Sequence, residues 1–193
     1  MDMKIPWFDS VRQNKLIKAA FLKKVEEILD SGQVCMGKLC QEFEEKWAEM
    51  NGAKYCVLLS SGTDALILSL DALHIQGPVL TPVISFIATP NAITLNRQIP
   101  LFCEVDSNGN IDIKHAISKG HIQEMFNPIK CFLPVALYGN PPDLINLQKL
   151  SYNLEIPLVL DSAQAHLAKY NDKHLIDYCD VVTQSFYITK NLG

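Results

Sequence analysis

Lys190 lies three residues from the end of a 193-residue chain, in Ser185-Phe186-Tyr187-Ile188-Thr189-Lys190-Asn191-Leu192-Gly193. A lysine held partly out of water is nucleophilic as the free amine and can form a Schiff base with a carbonyl. Asp161 opens the segment Asp161-Ser162-Ala163-Gln164-Ala165-His166, directly after the apolar run 157–160. An acid at that place can keep a pyridinium nitrogen protonated, so that the ring serves as an electron sink. Ser60-Ser61-Gly62-Thr63-Asp64-Ala65-Leu66 joins an apolar run to a helical pattern. Small residues at a helix N-terminus leave backbone N–H groups free, and the helix dipole favours an anion there. An amine, an acid and a phosphate cradle are the parts of a pyridoxal-phosphate (PLP) site.

Each part also has a plainer reading. Ser and Thr are common helix caps, so Ser60 to Thr63 could cap and nothing more. Asp161 could cap the turn that follows it, and lysines are mostly solvated surface residues. Gln164 could hydrogen-bond a cofactor's phenolic oxygen. His166, on the same loop, could line the ring or be structural. Ser185, five residues before Lys190, could donate to a phosphate. Phe86, in Ser85-Phe86-Ile87-Ala88-Thr89, could stack on a planar cofactor or sit in the core. The sequence contains neither Gly-x-Gly-x-x-Gly nor Gly-Lys-Ser/Thr, which argues against dinucleotide and Walker-type sites.

These residues need a frame to bring them together. The first fifty residues read as helical: Ile17, Phe21, Val25 and Ile28 form one stripe, and Leu39, Phe43, Trp47 and Met50 another. Ser31-Gly32 is a helix stop, and a loop runs on to Gly37. A strand–helix rhythm follows. Strands are predicted at 55–59, 78–81, 99–104, 131–135, 157–160 and 181–183. Helices are predicted at 63–73, apolar nearly all round and so buried, at 88–95, at 111–120 and at 142–152. The alternation predicts an α/β fold with a mostly parallel sheet. Ligands in such sheets sit at the C-terminal strand ends, which is where all three motifs fall.

Length and composition fit one domain with a proper core. The chain is 48% hydrophobic and 20% charged, ordinary for a soluble globular protein. A net charge of -4 gives no reason to expect nucleic acid or an anionic membrane as partner. No secretory signal follows Met1, and no run approaches a membrane span of ~20 apolar residues. The six cysteines contain no Cys-x-x-Cys pair, so they read as free thiols in a reducing cytoplasm rather than metal ligands.

The ordered motifs resemble the large domain of the PLP-dependent nucleotide-sugar aminotransferases, the DegT/StrS family of aminotransferase fold type I. The resemblance runs from Ile5-Pro6 to Gly193. It includes Ser31-Gly32 with Gly37 and Phe43-Glu44, the Ser61 to Leu66 and Ser85 to Thr89 segments, Pro134-Val135-Ala136-Leu137-Tyr138-Gly139, the Asp161 to His166 loop and the Lys190 segment. It implies a three-layer α/β/α fold over 1–193, with 1–50 as a helical segment within it. By that resemblance Gly62, Thr63 and Ser185 hold the cofactor phosphate, and Phe86 stacks on the ring. Asp161 pairs with the ring nitrogen, Gln164 contacts the phenolic oxygen, and Lys190 forms the internal aldimine and shuttles protons. The implied reaction takes an amino group from glutamate to a nucleotide-linked keto-sugar, as in polysaccharide biosynthesis. A dehydratase branch has histidine in place of this lysine, so Lys190 favours transamination. Another fold type I enzyme, such as a desulfurase, is the further alternative.

Two positions depart from the family pattern: Ala136 stands where histidine is common, and Leu167 where glycine commonly follows Gln-Ala-His. The family is about twice as long, so the chain is expected to be truncated, lacking a C-terminal small domain and residues that complete a partner subunit's site. It is therefore expected to work as a homodimer or with a complementing C-terminal chain, and to be inactive alone. A non-catalytic truncated remnant, or one half of a split enzyme acting as an assembly partner, is the alternative.

Overall fold

The computed structural model describes residues 9–118 and 129–192. Ile5-Pro6, Gly193 and the last two residues of the predicted 111–120 helix lie outside them. Two helices lead. Helix α1 (Ser10–Ser31) is capped by the Asp9 carboxylate, which accepts from the Arg12 N–H at 3.0 Å. It stops at Gly32, whose φ of 67° is the left-handed conformation that glycine adopts without penalty. The predicted stripe is only half covered: Val25 and Ile28 are half-buried, whereas Ile17 and Phe21 are exposed. Helix α2 (Lys38–Met50) buries Trp47 and Ala48.

From Gly62 to Asp161 strands and helices alternate. Helix α3 (Gly62–Ala72) is followed by β1 (Val79–Pro82), α4 (Ala88–Leu95), β2 (Pro100–Cys103) and α5 (Ile113–Ser118). Then come β3 (Cys131–Phe132), α6 (Leu144–Leu154), β4 (Val159–Asp161), the short pair β5 (Lys169–Tyr170) and β6 (Lys173–His174), and β7 (Val181–Thr183). Strands β2-β1-β3 pair in parallel, as do β4-β7. The parallel bridges Phe132↔Leu158 and Val135↔Asp161 join the two groups in the order β2-β1-β3-β4-β7.

Successive strand residues point to opposite faces, and this divides the core in two. Val79, Cys131, Leu133 and Val159 pack with Leu66 and Leu70 of α3 and Ala92 and Ile93 of α4. Leu80, Phe132, Leu158 and Leu160 pack with Ile113 of α5 and Leu144 and Leu147 of α6. The result is a three-layer α/β/α sandwich with a parallel sheet. Both faces are covered, which is why these strands read as continuous apolar runs.

Three expectations are corrected. First, 55–59 is not a strand. Its apolar, β-prone sequence is suited to one, but a strand exists only through a neighbour. The Leu58 N–H instead donates to the Glu44 carboxylate at 2.7 Å, and Tyr55 and Val57 are 74% and 71% exposed. This segment forms one wall of a groove of about 960 Å³, with β7 and the residues to Ile188 along another and α3 between them. Second, α3 is less buried than its all-round apolarity predicts: Leu68 is exposed and lines this groove. Third, the strand predicted at 157–160 lies at Val159–Asp161, so Asp161 is the last strand residue and pairs with Thr183 rather than following the strand. The short strands β5 and β6 were not predicted, nor were the 3-10 turns at Leu137–Gly139 and Leu175–Tyr178. β5 and β6 form an antiparallel hairpin around Asn171 and Asp172, whose φ values of 47° and 62° fit a two-residue turn.

Candidate functional site

The strands end at one edge of the sheet, and the chemistry-bearing residues gather there. Asp161, at the end of β4, is 4% exposed. The Thr89 hydroxyl donates to its Oδ2 at 2.8 Å, and the Ala163 N–H donates to its Oδ1 at 3.1 Å. Burial pushes the Asp161 carboxyl above its ordinary range, while the Thr89 and Ala163 bonds and the Lys190 charge pull it back.

The second group joins α3 to the segment after β7. Ser61 caps α3: its Oγ accepts from the Asp64 N–H at 3.0 Å. That leaves the Gly62 and Thr63 N–H groups, in the first turn, with no partner inside the helix. The Ser60 and Ser61 hydroxyls both donate to the Asp64 carboxylate and hold its pKa below the usual value. Gly62 abuts Ser185: a Cβ added at Gly62 would come within 2.8 Å of the Ser185 Cβ and 3.2 Å of its Oγ. Glycine is what lets the helix end and the serine hydroxyl meet. We expect Gly62→Ala to force this contact apart, an overpacking of about 1–3 kcal/mol. PLP affinity in an absorbance titration should fall about tenfold, and an unchanged Kd would contradict the cradle.

The third group is Phe86 and Lys190. Lys190 is half-buried, and its Nζ lies 5.9 Å from the centroid of the Phe86 ring. Phe86 is 63% exposed, which removes the core-aromatic reading. Gln164 lies across the same edge. Its Oε1 accepts from the Tyr138 N–H at 2.7 Å, so its remaining hydrogen-bonding end is the NH₂ donor. Tyr138 has φ 55°, an uncommon conformation for a bulky residue.

Sequence reasoning missed the supports. Thr89 closes the Ser85 to Thr89 segment, but nothing in its type points to an acid 72 residues away. The residues leading to Lys190 are also clamped. The Trp47 Nε1–H donates to Gln184 at 2.5 Å, and His166 Nε2 donates to the Ser185 carbonyl at 2.8 Å. The Phe186 ring packs 5.2 Å from Phe43, 5.1 Å from Trp47 and 5.3 Å from His166, centroid to centroid. Burial lowers the His166 pKa first, with the Lys190 charge adding to it against the Ser185 carbonyl. The two departures also find a place. Ala136 is buried in the α6 core layer, and its N–H donates to the Asp161 carbonyl at 2.9 Å. Leu167 has φ 56°, a left-handed conformation that favours glycine. Among the described residues, no group of three or more His, Cys, Asp or Glu could hold a metal ion.

The fold is that of the large domain of fold type I PLP-dependent enzymes. Its likeness to solved structures is close. DesV of S. venezuelae, solved in complex with a ketimine intermediate, superposes with a TM-score of 0.90 at 28% identity, over 98% of this chain and 51% of that one. NtdA of Bacillus subtilis, solved with the bound cofactor PMP, gives 0.88 at 26% identity, over 100% and 43%. The chain belongs to the DegT/DnrJ/EryC1/StrS aminotransferase family, whose model matches residues 15–193. A UDP-2-acetamido-2-deoxy-3-oxo-D-glucuronate aminotransferase of Pseudomonas aeruginosa is 29% identical over 98% of this chain and 52% of its own length. The chain spans about half the length of the curated relatives it matches.

Proposed function

We propose that this chain is the cofactor-binding half of a PLP-dependent aminotransferase that moves an amino group from glutamate to a keto-sugar carried on a nucleotide. The observation that carries the reading is the convergence of Asp161, the Gly62–Ser185 contact and the Phe86–Lys190 pair on one sheet edge. The residues fit the cofactor. The cradle is a space that one added Cβ at Gly62 would close, and Asp161 is a buried acid whose carboxylate keeps lone pairs beyond those used by Thr89 and Ala163.

PLP, when bound, supplies an electron sink for the carbon that carries the amino group. The residues of the chain do the rest. The Gly62 and Thr63 N–H groups and the Ser185 hydroxyl would hold the phosphate. Phe86 would cover the ring, and Gln164 would donate to the phenolic oxygen. Asp161 would accept from the ring nitrogen and keep its proton in place. Lys190 would supply the amine for attachment and, when free, a base for proton movement at the substrate carbon. The sugar substrate is supported by the name of the P. aeruginosa relative, and the cofactor by the PMP in the B. subtilis one.

A cytoplasmic location is part of the proposal, in keeping with cysteines that are free thiols. The reading also holds that the chain works as a homodimer or with a complementing C-terminal chain. The exposed Tyr55, Val57 and Leu68 around the groove beside β7 support that part, since apolar surface of this kind is ordinarily covered. The test is an assay with glutamate and a panel of keto-sugar nucleotides. The isolated chain should give little or no turnover, and co-expression with the C-terminal half of a family relative should produce it. Substantial turnover by the chain alone would overturn the need for a second half. Failure of every substrate with the complemented enzyme would overturn the aminotransferase reading.

A further inference from the structure

We propose that Thr89 is a positioning residue, whose buried hydroxyl fixes the Asp161 carboxyl in the orientation that meets the cofactor's ring nitrogen. The inference rests on the PLP reading of the site and adds to it a residue given no role there.

Thr89 is fully buried in the first turn of α4. A buried hydroxyl in a helix can satisfy itself cheaply by donating to a carbonyl one turn back. Thr94, on the same helix, donates to the Asn91 and Pro90 carbonyls, and Ser69 in α3 donates to that of Ala65. Thr89 does not. Its hydroxyl reaches 72 residues along the chain, from one face of the sheet to the end of β4, and meets Oδ2 of Asp161 at 2.8 Å. With the Ala163 N–H on Oδ1, the carboxyl is held at both oxygens and its rotation is fixed. The same turn also carries the stacking aromatic, since the Thr89 N–H donates to the Phe86 carbonyl at 3.0 Å. One turn of helix thus ties the residue that covers the ring to the anchor of the acid.

A hydroxyl donor favours the ionised carboxylate over the acid. It therefore opposes the burial that pushes Asp161 up. The other groups around the acid leave this effect readable. Helix α4 and strand β7 carry no titratable side chain. On β3, burial pushes the Cys131 thiol up to about 12, so it stays uncharged. Burial lowers the pKa of His166, on the loop after β4, and this ring is the same in every Thr89 variant. Lys190, beyond β7, is the charge that acts on Asp161, and it is the same in every Thr89 variant.

The experiment compares Thr89→Val, which keeps the shape and loses the hydroxyl, with Thr89→Ser, which keeps the hydroxyl. In the cofactor-free chain, the Asp161 carboxyl is titrated by carbon-13 NMR and assigned with Asp161→Asn. Thr89→Val should raise the midpoint by about one pH unit, a tenfold change in the ionisation constant, while Thr89→Ser stays near wild type. With PLP added, Thr89→Val should weaken binding about tenfold. It should also move the nitrogen-15 signal of the PLP ring toward the unprotonated form, with Thr89→Ser again close to wild type. If Thr89→Val does not fold, Thr89→Cys, a weaker donor of similar size, takes its place and should give a shift in the same direction. An unchanged Asp161 midpoint and an unchanged ring-nitrogen signal in a folded variant lacking the hydroxyl would overturn the proposal. A wild-type chain that bound no PLP would overturn the PLP reading, and the cofactor-free titration would still decide the role of Thr89.

Discussion

Lys190→Ala should abolish the visible absorbance band that PLP develops on binding to the wild-type chain. The band requires a covalent bond between the cofactor's aldehyde carbon and an amine, and alanine offers none. Lys190 is the amine proposed for that bond. Its Nζ lies against Phe86, and its charge acts on both Asp161 and His166. The cradle at Gly62 and Ser185 is untouched by the substitution. The variant should therefore still take up PLP non-covalently, with the spectrum of the free aldehyde. The effect is a loss of signal rather than a shift, which separates it from damage to the fold. A band of wild-type intensity in Lys190→Ala would remove the residue from its assigned role.

Asp161→Asn should leave the band in place and slow the half-reaction with glutamate in a complemented enzyme by roughly 10²–10³-fold, the scale on which a single electrostatic contact to developing charge acts. The asparagine oxygen can still accept from the Ala163 N–H while its NH₂ donates to the Thr89 hydroxyl oxygen, so the shape is kept with the Thr89 bond reversed. What is lost is the charge that holds a proton on the ring nitrogen. The fold should not suffer. Burial already works against an ionised Asp161, and the neutral amide is free of that penalty. Thermal unfolding should accordingly show a midpoint equal to or above wild type. Equal half-reaction rates would contradict the electron-sink role.

The order of elements was legible because both faces of the sheet are covered. Runs such as Val79-Leu80 and Leu158-Val159-Leu160 must then be apolar at every position, and α4 and β7 fall where periodicity places them. The segment 55–59 shows the limit of that signal: its composition suits a strand, but pairing depends on a neighbour that no local pattern records. The β5–β6 hairpin carried a local signal, Asn171-Asp172 between Tyr170 and Lys173, in a stretch too short to show alternation. At the site, motif residues that touch the cofactor in the family reading were visible by type. Their supports were not. The Thr89–Asp161 bond and the Trp47–Gln184 bond span 72 and 137 residues, and only the folded sheet brings these partners together.

Leu167 shows the reverse case, a departure visible in the sequence whose physical meaning needed the backbone. Its φ of 56° places a branched residue where glycine is at ease, directly after the His166 that holds the Ser185 carbonyl.

The central claim is that three separated motifs build one PLP site with Lys190 as its attachment point. The most direct measurement is borohydride reduction of the wild-type chain with PLP, followed by peptide mass spectrometry. The account predicts a pyridoxyl-phosphate adduct on the peptide containing Lys190, and its loss in Lys190→Ala. An adduct spread over surface lysines, or none at Lys190, would contradict it.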